Sequence, residues 1–215
     1  MYRYINSAIT FIVFFNVLRW SNSELDLKKF LNTSSRIWTY YSTQNRTLFC
    51  LNDIKVEMTD KSVVLNRSYY EGEEWNSTMM EWVFFENISD KRGAYVCMHH
   101  NDLVHHLVVF ECIKYQNETR QCAVMKYRVV PFQGQVPPSS VHYSPLQQMK
   151  PKEDNMTVFE WHELQTLKPD DPVMPDNDCL DAFNNLSKVA IAHKDYNPGC
   201  TARLYLMNKR KTAAS

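Results

Sequence analysis

The chain has 215 residues, with 24 Lys+Arg against 24 Asp+Glu, and is 44% hydrophobic and 13% aromatic. That length suits one domain with a sizeable core. Net neutrality excludes a nucleic-acid surface built on surplus Lys and Arg. With only 4 Gly and 22% charged residues, collagen-like and disordered classes are excluded too.

Residues 1–23 read as a signal peptide. Arg3 supplies a basic start, and Ile9 to Leu18 is an apolar run too short for the ~20 residues of a bilayer span. Ser21-Asn22-Ser23 then offers the small residues of a cleavage site. Cleavage before Glu24 leaves 24–215 as a single domain of net charge −2, since Arg3 and Arg19 are lost. No later stretch is long and apolar enough for a membrane anchor.

Glu24 to Leu31 is a short amphipathic helix with Leu27, Phe30 and Leu31 on one side. Eight strand-like segments follow, rich in β-branched and aromatic residues: 36–43, 48–58, 62–70, 78–86, 94–100, 103–115, 121–130 and 156–163. Turn-forming residues separate them, and the hairpin-like spacings favour an antiparallel meander. Residues 131–175 carry eight of the nine prolines, which places Pro-rich excursions around the last strand. Cys179 to His193 has a helical period, with Leu180, Phe183, Leu186, Ala190 and His193 on one face and Asn177 or Asp178 as cap. Asn197-Pro198-Gly199 ends it. The expected fold is mainly β: an eight-stranded antiparallel up-and-down barrel of lipocalin type, with a C-terminal amphipathic helix packed outside.

Cys50, Cys97, Cys112, Cys122, Cys179 and Cys200 are an even set, which in an oxidising compartment reads as three disulfides. Asn32, Asn45, Asn66, Asn76, Asn87, Asn117, Asn155 and Asn185 each begin an N-glycosylation sequon. The expectation is a secreted, extracellular, monomeric glycoprotein. Asn185 should lie on the solvent side of its helix, with Leu186 towards the barrel.

No catalytic signature or phosphate loop is present, so a non-enzymatic role without cofactor or metal is expected. His99, His100, His105 and His106 flank a turn at Asn101–Val104. That turn would set His100 opposite His105 and His99 opposite His106, but a polar hairpin tip is the favoured reading. Carboxylates inside apolar alternation are more informative. Glu111 shares a face with Leu107, Val109 and Ile113; Glu81 with Met79, Val83 and Phe85; Glu160 with Met156, Val158 and His162. A buried carboxylate needs a cationic or hydrogen-bonding partner. A cationic amine ligand supplies one, and Trp82, Tyr115 and Tyr127 are candidate walls. The last strand admits the opposite parity too, with Phe159 and Trp161 inside and Glu160 in solvent.

Several segments resemble the tick salivary lipocalins, the histamine-binding family: Arg36-Ile37-Trp38-Thr39-Tyr40-Tyr41, Cys50, Gln121-Cys122-Ala123-Val124-Met125, and Cys179-Leu180-Asp181-Ala182-Phe183 with Tyr196-Asn197-Pro198-Gly199-Cys200. Together they span nearly the whole of residues 24–215. The resemblance implies a secreted salivary barrel that sequesters host mediators of inflammation and haemostasis. It also implies pairing of Cys50 with Cys200 and of Cys122 with Cys179, leaving Cys97 for Cys112. Two departures stand out. Arg36 replaces the usual Gly two before Trp38. Ala123 replaces the Asp that follows Cys in the family's amine-binding signature, whose second element is either Phe159-Glu160-Trp161 or Glu163-Leu164-Gln165. The expected function is binding of a biogenic amine, histamine or serotonin, with Glu160, Glu111 and Glu81 as counter-charges. One alternative is a lipid mediator such as a leukotriene, thromboxane or fatty acid, held by Arg128 and Lys126 at the mouth. Another is an outer-surface inhibitor of complement or proteases, acting through the loops at 131–155 and 164–176.

Overall fold

The computed structural model describes residues 25–85, 96–131, 159–167, 174–188 and 192–213. The signal-peptide segment, Asn87, Asn155 and most of the Pro-rich stretch lie outside the described residues.

Strands form where one parity is apolar. They are β1 (Ile37–Ser42), β2 (Phe49–Met58), β3 (Ser62–Glu71), β4 (Glu74–Phe85), β5 (Cys97–Asp102), β6 (Leu107–Asn117), β7 (Cys122–Pro131) and β8 (Phe159–Thr166). All neighbours are antiparallel, in the order β2-β3-β4-β5-β6-β7-β8-β1, and β1 pairs back onto β2 to close an eight-stranded barrel. Closure gives each of these eight strands a neighbour on both sides. Val63 and Leu65 of β3, Met80, Trp82 and Phe84 of β4, Val109 and Ile113 of β6, and Met125 and Tyr127 of β7 fill the interior.

α1 (Leu27–Leu31) closes one end. Its Leu27, Phe30 and Leu31 join the interior core, as their spacing predicts. Asp26 caps the helix, and its backbone N–H donates to Gln116. Lys28 and Lys29 reach Asp60 and Glu118 in the β2–β3 and β6–β7 turns, which mark that end. At the other end lie the β1–β2 loop, the β3–β4 turn and the β5–β6 tip.

α2 (Asn177–Ser187) lies outside the barrel, with Phe183 packed on Val124 and Leu164. The helical period to His193 is cut short. Lys188 takes a left-handed C-cap (φ 52°), and His193 belongs to β9 (His193–Lys194), a short strand added to β1. Leu186, expected to face the barrel, is 37% exposed; Asn185 is exposed as expected. A further helix, α3 (Gly199–Ala213), begins where the sequence reading placed only a stop. Asn197 accepts a hydrogen bond from the Gly199 N–H, so Asn-Pro-Gly opens a helix here instead of ending one. β4 starts earlier than expected because the turn needs just Gly72 and Glu73, both at positive φ (56° and 72°), between the paired Glu71 and Glu74.

All six cysteines are paired: Cys50–Cys200 ties β2 to α3, Cys97–Cys112 crosses β5 and β6, and Cys122–Cys179 ties β7 to α2. Among the described residues, no helix is long and apolar enough to cross a membrane.

Candidate functional site

Strand alternation carries polar residues into the barrel as well as apolar ones. On β3 the inward parity runs Val63, Leu65, Arg67; on β2 it reaches Asp53; on β6, Glu111; on β8, Trp161, Glu163 and Gln165. Arg46 enters from the β1–β2 loop and Asp195 from the residue after β9, and both are buried. Four carboxylates and two guanidiniums are thus enclosed together. Burying charge is costly unless each is paired, and the pairing is uneven.

Arg67 forms a two-pronged pair with Asp53, at 2.9 and 2.8 Å. Arg46 donates to Glu163 at 2.8 Å and to Asp195. Glu163 further accepts from Trp161 Nε1 (3.0 Å) and Thr39 Oγ1 (3.1 Å). Burial pushes the Glu163 carboxyl up, but Arg46 and Arg67 outweigh it and hold it below the ordinary range. Asp195 goes the other way: burial exceeds the pull of Arg46, and its carboxyl rises to about 6.

Glu111 is the carboxylate left over. It is 1% exposed, and its Oε2 has no hydrogen bond; the nearest cation, Arg67, is 3.9 Å away. Gln165 Nε2 lies 3.4 Å from Oε1 and donates to the Tyr127 hydroxyl at 3.0 Å. Burial raises the Glu111 carboxyl to about 8; Arg67 and a hydrogen bond with Tyr127 oppose the rise, and Asp53 and Glu163 add to it. Trp82 Nε1 is a second buried group without a partner among the described residues.

Arg67 and Tyr127, which touch Glu111, line a cavity of about 20 Å³ together with Gln44, Arg46, Trp82 and Trp161. Tyr127 and Trp161 stack in parallel at 4.8 Å, and the Arg67 guanidinium lies 5.6 Å from the Trp82 ring. That volume takes about one water.

Of the residues expected in the site, Glu111, Trp82 and Tyr127 come together inside the barrel. Three others do not. Glu160 is exposed on the outer face, 2.8 Å from Lys126 and 3.8 Å from Arg128, and its hydrogen bond from Lys126 keeps its carboxyl low. The second parity of β8 is therefore the one adopted, and Lys126 and Arg128 are outer-face residues rather than mouth cations. Glu81 is also outside, because Met80, Trp82 and Phe84 form the more strongly apolar parity of β4. Tyr115 follows a register shift between Ile113 and Tyr115, and packs beneath α2 with Cys122, Val124 and Phe183. The imidazoles do not face one another: His99 pairs with Phe110 and His100 with Val109, while His105 bonds Asp102 at 2.9 Å.

Sequence reasoning missed Arg67, Asp53, Arg46 and Asp195, and offered Glu163 and Gln165 only within one of two alternative signature elements drawn from the family resemblance. A signal existed for Arg67, an Arg on the same parity as Val63 and Leu65. Another existed for Glu163, on the parity of Trp161. Asp195 and Arg46 lie in non-strand segments with no period to read. Searches with protein-family models and among curated proteins return no match for this chain.

Proposed function

We propose that this chain is a secreted, non-enzymatic lipocalin that sequesters a small cationic mediator, histamine or serotonin, inside its barrel. This is also the reading that the resemblance to tick salivary lipocalins supports. The observation that carries it is the acid surplus of the central cluster: among the described residues, Asp53, Glu111, Glu163 and Asp195 stand against Arg46 and Arg67, with Glu111 Oε2 left without a hydrogen bond. Of the two candidate signature elements, Glu163-Leu164-Gln165 is the one that turns its Glu inward.

An ammonium beside Glu111 replaces its proton, because a new positive charge favours the ionised form. The charge-assisted hydrogen bond is worth about 1.5–3 kcal/mol, and Trp82, Trp161 and Tyr127 supply aromatic faces for the cation. At about 20 Å³ the cavity must widen for the ligand, with Gln44 and the Arg46 side chain moving aside. A small amine demands far less widening than a twenty-carbon lipid, and both interior arginines are already engaged by carboxylates. The cation reading is therefore preferred to the anionic lipid.

Isothermal titration calorimetry with histamine, serotonin and a leukotriene tests this. Amine binding is expected with an apparent enthalpy that changes with the buffer's ionisation enthalpy, reporting the released proton. Glu111→Gln should weaken it by about tenfold or more, which is about 1.4 kcal/mol, and Glu160→Gln should leave it unchanged. Leukotriene binding without amine binding overturns the proposal.

A further inference from the structure

α3 is fastened at its start by Cys50–Cys200, and Leu204 is buried against the cluster of Trp38, Tyr40 and Tyr196. Beside that anchorage a groove of about 600 Å³ opens between the helix and the outer face of β2, β3 and β4. This volume lies within the range of small-molecule sites, about 300–1,000 Å³. Tyr70 and Trp75 form its aromatic part, edge to face at 5.9 Å, and the Arg203 guanidinium of α3 lies 4.5 Å from the Tyr70 ring. The indole Nε1 of Trp75 is buried and has no hydrogen-bond acceptor among the described residues.

Two sequon asparagines, Asn66 and Asn76, line this same groove. Val63, Leu65 and Arg67 point into the barrel, so Asn66 stands on the outer parity of β3, half-buried on the groove floor. N-glycans are added to the chain before it folds, so half-burial in the folded state is no bar to attachment. A glycan placed there has to leave through the groove. Its first sugars then pass the aromatic pair and the Arg203 guanidinium.

We propose that this groove is a carbohydrate site occupied by the chain's own N-glycan at Asn66, packed against Trp75 beside the stacked Tyr70 and Arg203. The C–H face of a pyranose covers the Trp75 ring, its hydroxyls accept from Arg203, and the glycan fills the space that α3 leaves over the sheet. The inference is independent of the interior site and requires only passage through the secretory route.

The test uses full-length protein secreted from eukaryotic cells. Peptide-N-glycosidase release is followed site by site by mass spectrometry, from folded and from denatured protein. Asn66 should be occupied. Its glycan should be released about tenfold more slowly from folded than from denatured protein, as one good packed contact of about 1.4 kcal/mol provides. The glycan at Asn185, exposed on α2, should be released at the same rate from both. Trp75→Ala should bring Asn66 to the Asn185 rate. If that variant is not secreted, Arg203→Ala, on the helix side, should accelerate release at Asn66 alone. An unoccupied Asn66, or equal rates at Asn66 and Asn185 in the folded protein, overturns the proposal.

Discussion

Replacing Glu111 by Gln isolates the energetic role of the interior acid cluster. In the unfolded chain this carboxyl ionises near its ordinary 4.5; in the fold, burial first and then Asp53 and Glu163 keep it protonated up to about 8. Between those values the folded state holds a proton that the unfolded state has released, so raising the pH favours unfolding. The stabilisation is fully present below the lower value and is lost as pH rises through the upper one. At about 1.4 kcal/mol per pH unit, the whole window is worth about 5 kcal/mol. Gln has the shape of the protonated acid and cannot ionise. Urea denaturation, with the disulfides intact, should therefore show wild type losing stability relative to Glu111→Gln by about 1.4 kcal/mol per pH unit between about pH 5 and pH 8. Asp195, with its carboxyl raised to about 6, is present in both proteins and cancels in the difference. Wild-type and variant curves that run parallel to within about 0.5 kcal/mol would refute the burial argument for Glu111.

The Cys97–Cys112 disulfide spans 15 residues, and a loop of that length is worth about 3 kcal/mol. The double Cys97→Ser, Cys112→Ser variant should melt about 6–12 °C lower by calorimetry, and a drop under about 2 °C would show that β5–β6 pairing carries the hairpin without it. Phe183→Ala should cost about 3–5 kcal/mol in urea unfolding, because the ring is 1% exposed against Val124 and Leu164. Leu186→Ala, at a 37% exposed position, should stay within about 0.5 kcal/mol; the reverse ranking would mean that α2 presents its other face to the barrel.

The strands were legible because alternation and turn chemistry are local and recur along the chain, whereas closure depends on β1 meeting β8 across the whole sequence. Most of the strands carry a run of β-branched and aromatic residues, β5 (Cys97–Asp102) being the exception, and the short breaks carry turn chemistry. The end of the chain was less legible because its signals are ambiguous rather than absent. Leu186, Ala190 and His193 continue a helical period that the left-handed Lys188 interrupts. Asn197-Pro198-Gly199 reads equally well as the end of one helix or the start of another.

The interior site was half legible, for a reason that lies in strand parity. A one-residue shift reverses the face of every side chain on a strand, so Glu160 and Glu163 exchange roles according to which parity packs inward. Nothing within 156–163 decides this. What decides it is the partner strand: Tyr127 of β7 sits opposite Trp161, and the two rings stack at 4.8 Å inside the barrel. With Trp161 inside, Glu163 and Gln165 follow it in, while Glu160 falls opposite Arg128 on the outer face and pairs with Lys126 and Arg128. On β6 the same logic was readable in advance, since Leu107, Val109 and Ile113 leave Glu111 only one face. Of the three carboxylates that the sequence offered as counter-charges, Glu111 is the one the fold encloses, and it is also the one the fold leaves short of a cation. An interior acid with aliphatic flanks along its own strand can find its counter-charge only across the barrel. Here Arg67 stands across from it but is already committed to Asp53.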